Sequence, residues 1–331
     1  MTIRTRPIRR TLVGVVFLAM SAAAFVIGWR FDTDMREARV RISQGSVVAE
    51  TRCGRIEYQE TGFGIPLLSV HGSGGGFDQG MGFAGELSRN GIRVIAMSRF
   101  GYLRTPMPVD SSAEAQADAH VCLLDALNIE RTAVMGGSAG ALSALQMAIR
   151  HPQRVSALIL LVPLAYKPPD MVGSAPPLPA WIENTMMVAL GSDFLFWAAS
   201  LIARAQLINV VLATPPQLVM AASEAEKARI NTMLNHILPV SARAAGLRND
   251  TATSKHLTPA SLEKINAPTL IISARDDGYG TFASAQHTAS RIPSAKFIGF
   301  ERGGHTWVGH NDEVMARILK LLVAVGQPTR P

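Results

Sequence analysis

Apolar and polar positions fall into a repeating pattern from residue 46 of this 331-residue chain onward. Residues 46–53 and 56–60 are joined around Gly54, which predicts an antiparallel pair of strands. Six short, nearly unbroken apolar runs follow, at 65–71 (IPLLSVH), 91–98 (GIRVIAMS), 131–136 (RTAVMG), 155–162 (VSALILLV), 268–273 (PTLIIS) and 295–300 (AKFIGF). A strand covered on both faces has no polar side, so such runs predict buried parallel strands. Between them, residues 113–127 set Ala117, His120, Val121, Leu124 and Leu127 near one helical face. Residues 139–149 form an Ala- and Leu-rich helix, and 313–325 a closing one. Strands alternating with helices predict an α/β domain, a mostly parallel central sheet with helices on both faces.

Three segments break the alternation. Residues 11–29 (TLVGVVFLAMSAAAFVIGW) carry no charge, and as a helix they reach about 28 Å, the hydrocarbon thickness of a bilayer. Arg4, Arg6, Arg9 and Arg10 precede this run and Arg30 closes it. It reads as a membrane anchor. A signal peptide cleaved near Ala22-Ala23-Ala24 is the competing reading, but Phe25, Val26 and Ile27 carry the apolar run past that point. Arg9-Arg10 before Thr11-Leu12-Val13 bears a faint likeness to a twin-arginine export signal. The Lys/Arg balance tilts slightly towards an inside N-terminus, which puts the rest of the chain on the extracytoplasmic, periplasmic side. Residues 31–46 are polar and read as a linker. Residues 166–266 open on the proline-rich 168-PPDMVGSAPPLP-179 and then turn helical, a lid-like insertion that divides the sheet domain into 47–165 and 267–331. Within it, 194–213 is apolar for twenty residues and raises the question of a second span; Arg204, Gln206 and Asn209 favour a buried or interfacial helix.

Charged residues make up 17% of the chain and hydrophobic ones 48%, the balance of a core-forming protein. The net charge of +7 invites a nucleic-acid reading that its distribution opposes. Residues 1–41 hold eight arginines against Asp32, Asp34 and Glu37, a net of +5 that leaves only about +2 for the remaining 290 residues. The basic character thus belongs to the membrane-proximal tail, and no nucleic-acid partner is expected. Cys53 and Cys122 allow one disulfide by arithmetic, without a spacing motif to support it, and read as two small buried hydrophobes. There is no CxxC or His/Cys cluster, so neither a metal nor a cofactor is expected.

The strongest chemical motif is 136-GGSAG-140, a G-x-S-x-G between a strand and a helix. The turn there is tight, so small residues must flank the serine, and the following helix aims its N-terminus at any oxyanion that forms. Upstream, 71-HGSGGG-76 follows a buried strand, where a glycine turn lets backbone N–H groups approach a substrate oxygen. Glycine loops also cradle phosphate, but no Walker lysine and no G-x-G-x-x-G context is present. His71 reads as a structural residue of this turn. Late in the chain, 274-ARDDGYG-280 offers Asp276 and Asp277 after one strand, and 303-GGHTW-307 offers His305 after the next, with His310 its competitor.

With these motifs in this order, the chain resembles the α/β-hydrolase family over roughly residues 47–325. The stretch 145-LQMAIRHPQRVSALILLVP-163 is similar to the family's helix, His-Pro turn and next strand. Around Ser98-Arg99-Phe100-Gly101-Tyr102 many relatives carry an aspartate before the arginine and a small residue after it, so this loop departs from the pattern. The resemblance implies an esterase- or lipase-like α/β-hydrolase fold with a lid. It implies Ser138 as nucleophile, His305 as base and Asp277, rather than Asp276, as the acid, with oxyanion donors from the N–H groups of Ser73 or Gly74 and of Ala139. A serine nucleophile disfavours the family's aspartate-dependent dehalogenases and epoxide hydrolases. The expected partner is a small-molecule carboxylic ester, and Trp181, Phe194 and Trp197, with Met186, Met187 and Phe196, are candidates for an acyl pocket in the lid. The plainer reading packs these side chains on the core. Carbon–carbon bond hydrolysis, cofactor-free perhydrolysis and a non-catalytic ligand-binding role on the same fold stay open.

Overall fold

A computed structural model describes residues 6–169, 171, 188 and 191–326. Its centre is one eight-stranded sheet in the order β1-β2-β4-β3-β5-β6-β7-β8. Strands β1 (Val47–Thr51) and β2 (Gly54–Thr61) form the antiparallel hairpin, with Thr51 opposite Gly54, and β2 runs antiparallel to β4 (Ile92–Met97). From β4 onward the sheet is parallel through β3 (Ile65–Val70), β5 (Thr132–Gly137), β6 (Val155–Leu161), β7 (Thr269–Ala274) and β8 (Ala295–Phe300). The six apolar runs are therefore the six parallel strands.

Alternate side chains of each run enter different cores. Leu158 and Leu160 of β6 join α3 (Ala113–Ala126), α4 (Gly140–Arg150) and α10 (Thr281–Arg291) on one face. Ala157, Ile159 and Leu161 join α2 (Phe77–Ala84) and α11 (Asn311–Gly326) on the other. Both faces are dry, which is why the runs lack polar alternation. Strand β3 lies between β4 and β5, so chain order reverses there, and the crevice at the carboxyl ends of β3 and β5 is the switch point where α/β sheets hold ligands.

The segment between β6 and β7 contains α5 (Asp193–Ile202), α6 (Arg204–Val211), α7 (Pro216–Ala221), α8 (Glu224–Asn235) and α9 (Ala244–Ser254). The apolar stretch 194–213 is not one helix: α5 and α6 meet at 117°. Arg204 stands at the break and donates to Asn231 Oδ1 (2.9 Å) and Asn235 Oδ1 (3.0 Å) on α8. A guanidinium inside an apolar run needs such partners, and Arg204 finds them at the bend.

Two expectations need correction. The polar residues 31–44, read as a linker, are helical and form the second half of one long helix, α1 (Arg6–Gln44). Met35 and Ala38 are buried there in a third apolar core, with Phe196, Trp197, Ile208, Ile230 and Leu234 of the insertion. The cysteines, read as separate small hydrophobes, are paired: Cys53 and Cys122 form a disulfide with a Cα–Cα distance of 6.0 Å, joining the β1–β2 hairpin to α3. The first half of α1 is long and apolar enough to cross a membrane, and from Val13 to Arg30 it lies exposed.

His120 of α3 is wholly buried against Ser143 (Nε2 to Oγ 2.9 Å), and burial pushes its imidazole down to about 3 from 6.5. Because the folded value is lowered, the unfolded chain binds the extra proton between these pH values, and stability falls as pH drops below 6.5. At about pH 5 the cost from this residue is about 2 kcal/mol. Denaturant unfolding in detergent at pH 7 and pH 5 should show a pH dependence smaller by about that amount in His120→Gln.

Candidate active site

The serine elbow is built by close backbone approach. Ser138 has φ 49°, a strained value for a residue with a side chain, at the junction of β5 and α4. Its N–H donates to Leu161 O (2.9 Å), and its carbonyl accepts from Ala141 N (3.1 Å) and Leu164 N (3.0 Å). A side chain on Gly140 would begin 2.4 Å from His71 O and 2.5 Å from Val70 O, so only glycine lets α4 reach the end of β3. The same packing brings the HG turn to the serine: a Cβ on Gly72 would sit 3.0 Å from Ser138 Cβ. Ser138 alone within 136–140 is not fully buried.

His71 is structural. Its Nδ1 lies 2.7 Å from Gly72 O, and its Nε2 accepts the Arg99 N–H at 2.9 Å, which fixes a neutral ring protonated on Nδ1. Burial and the Arg99 charge hold its pKa well below the usual histidine value.

The acid turn and the histidine loop follow β7 and β8. His305 Nδ1 is 2.8 Å from Asp277 Oδ2, which also accepts a short hydrogen bond from Thr281 Oγ1, while Asp277 Oδ1 accepts from Tyr279 N at 2.8 Å. Burial opposes ionisation of Asp277, but His305 and these donors outweigh it and hold the carboxyl below the usual carboxylate range. Asp276 turns elsewhere. It does not cap its own turn but accepts the Gly304 N–H at 2.8 Å, which ties down the loop that carries His305. Elbow and histidine loop share a wall in Phe83: a side chain on Gly137 would begin 2.4 Å from its ring, and Trp307 lies 5.9 Å away on the other side.

The residues named for the oxyanion are not equivalent. Gly74 N–H is already donated to Tyr102 Oη at 3.2 Å. The N–H groups of Ser73 and Ala139 have no hydrogen-bond partner among the described residues. The acyl-pocket candidates also separate. Trp181, Met186 and Met187 lie outside the described residues. Phe194 and Trp197 face α1 instead of the serine, with ring centroids 5.3 and 5.4 Å from Phe31, and Trp197 Nε1 donates to Asp34 Oδ2 at 2.7 Å.

Several supporting residues gave no motif. Asp250 of α9 accepts from Tyr102 Oη (2.6 Å), from Ser73 Oγ (2.9 Å) and from both ends of the buried Arg99 guanidinium (2.8 and 2.6 Å). One insertion carboxylate therefore grips the glycine turn through two hydroxyls. Ala213 O, also in the insertion, accepts from Gly278 N (2.9 Å) and His305 N (3.3 Å), and Arg229 Nη2 donates to Thr306 O at 2.7 Å. A cavity of about 180 Å³ opens beside the turn, lined by Gly74, Gly75, Gln79, Arg229, Met233 and His236. Among the described residues no group of His, Cys, Asp and Glu is arranged to hold a metal.

Known proteins place this architecture. The chain is 38% identical over 112 residues to 2-hydroxymuconate semialdehyde hydrolase of Pseudomonas sp. (strain CF600), a match to 32% of this chain and 39% of that protein. It thus spans about two fifths of that relative's length. An α/β-hydrolase fold protein from Nakamurella multipartita is similar over 85% of this chain and all of its own, at 26% identity and a TM-score of 0.68. A membrane phospholipase A described as a bacterial virulence factor shares the fold over 97% of this chain and all of its own, at 21% identity and a TM-score of 0.64. The model of the alpha/beta hydrolase fold family matches residues 65–308, most of the chain, which therefore belongs to that family.

Proposed function

We propose that this hydrolase is a membrane-tethered serine esterase for lipophilic carboxylic esters, with Ser138 as nucleophile, His305 as general base and Asp277 as the acid that orients it. The observation that carries the reading is the buried Asp277–His305 hydrogen bond on the same sheet edge as a serine held in a positive-φ elbow. Asp277 accepts from Nδ1, which leaves Nε2 as the ring nitrogen free to take the serine proton. The serine oxygen then attacks the ester carbonyl. The free N–H groups of Ser73 and Ala139 receive the oxyanion, each donor contributing about 2.7–4 kcal/mol to the transition state. The alkoxide leaves with the proton from His305, and water activated by the same ring releases the acid.

Two features support the lipophilic substrate. The apolar first half of α1 suits an anchor, and a fold match covering 97% of the chain with a membrane phospholipase A must include most of that helix. The Cys53–Cys122 disulfide fits an oxidising compartment, hence a catalytic domain on the extracytoplasmic side of the membrane. A second reading, hydrolysis of a carbon–carbon bond, is favoured by the similarity to 2-hydroxymuconate semialdehyde hydrolase.

A fluorophosphonate probe should label the wild type and leave Ser138→Ala unlabelled; equal labelling of both ends the serine reading. With a p-nitrophenyl ester series from acetate to palmitate, turnover of the longer acyl chains is expected, whereas cleavage of a 2-hydroxy-6-oxo-dienoate with no ester turnover selects the carbon–carbon reading. Asp277→Asn should lower kcat by about 10⁴, through the wrong histidine tautomer, while Asp276→Asn should cost far less because it loosens only a loop. Tyr102→Phe keeps the Arg99–Asp250 pair but releases Gly74 N–H, and kcat should fall up to roughly 100-fold with KM little changed.

A further inference from the structure

We infer that helix α5 is a second membrane contact, lying in the headgroup layer of the leaflet from which α1 emerges. This rests on the reading of α1 as a span and not on the chemistry assigned to Ser138. Residues Phe194 to Ile202 contain no charged side chain. At about 100° per residue, Leu195, Leu201 and Ile202 fall within an arc of about 120°, and Phe196, Trp197 and Ser200 lie on the opposite side. The second set is buried; of the first, Ile202 is 87% exposed, and Leu195 and Leu201 are each more than 40% exposed, while Phe194 and Ala198 between them pack on Phe31 and the third apolar core. A helix apolar on both sides belongs in an apolar surrounding, yet among the described residues only one side of α5 has one.

The position of α5 along α1 identifies what covers the other side. The uncharged run of α1 ends at Trp29, and α5 packs on Phe31 and Asp34. At 1.5 Å per residue these contacts lie about 3 and 8 Å beyond the end of the run, within the interfacial layer that flanks the hydrocarbon. The helix is bound to α1 by two aromatic contacts and by the Trp197–Asp34 hydrogen bond, so its depth is set by α1. Arg30 is exposed at the same level and suits anionic headgroups. The occupant of the outward face is therefore the bilayer surface itself.

Depth measurement tests this on the full chain reconstituted in vesicles of phosphatidylcholine and phosphatidylglycerol. Both native cysteines are in the disulfide, so an introduced cysteine is the sole free thiol for a nitroxide label. Labels at Leu195→Cys and Ile202→Cys should show an oxygen-to-nickel-chelate accessibility ratio several-fold above that of Phe63→Cys, an exposed site before β3. Val26→Cys reports on the span. If Val26 is oxygen-rich while Ile202 behaves like Phe63, the α5 contact is wrong and the span stands. If both behave like Phe63, the span reading fails and the contact with it. Labels on α5 shielded from both reagents, with dipolar broadening between them, would mark a second copy of the chain on this face and would equally overturn the proposal.

Discussion

The site depends on one steric constraint, the absence of a side chain at residue 140. Helix α4 begins so close to the end of β3 that a Cβ there would strike the carbonyls of Val70 and His71. That approach lays the HG turn against the elbow, where Ser138 takes a positive φ. It also leaves the N–H of Ala139, at the head of α4, without a helical acceptor, because the first donors of a helix have none. The strained φ, the N–H of Ala139 and the half-buried Ser138 all sit at one contact between backbones.

The insertion is part of this scaffold. Two ion pairs are buried between it and the sheet domain: Arg99 with Asp250, and Arg243 with Asp78, the latter at 2.7 Å with Arg243 also donating to Gly75 O at 2.6 Å. Burying such pairs gains little net stability, since desolvation offsets the attraction. Their directionality is what matters, because each guanidinium and carboxylate accepts only one arrangement of the turn at 72–76. Ala213 O does the same for the acid turn and the histidine loop together. Ser138, Asp277 and His305, which follow β5, β7 and β8, are thus held from both sides, by the sheet beneath and by the insertion above.

Strands β3 to β7 were legible because they are buried on both faces, and a short unbroken apolar run between turn residues fits best between two covering layers; β8, at the edge of the sheet, is only half-buried. The elbow was legible because steric demand leaves a local trace in glycine and alanine. Asp277 was separable from Asp276 only by resemblance, since the distinction lies in which carboxylate meets Nδ1 and which meets Gly304 N. Asp250 and Tyr102 stand 148 positions apart, and the disulfide cysteines 69 apart, with no local pattern to announce either pairing. The second half of α1 did carry a signal: Phe31, Met35, Ala38 and Ile42 recur at i, i+4, i+7 and i+11, one face of a helix that its many charges obscured.

That face changes what the insertion can do. A flap hinged freely over the serine would need few contacts away from its hinges. Here Met35 and Ala38 are buried in the insertion's own core, Trp197 is bonded to Asp34, and Arg41 Nη2 donates to Leu238 O at 2.5 Å. Lifting the insertion off the sheet while α1 stays fixed would open that core and strand a half-buried guanidinium. Moving it together with α1 breaks none of these contacts. The described helices of the insertion and the second half of α1 therefore pack as one unit, which meets the sheet domain through the Arg99–Asp250 and Arg243–Asp78 pairs.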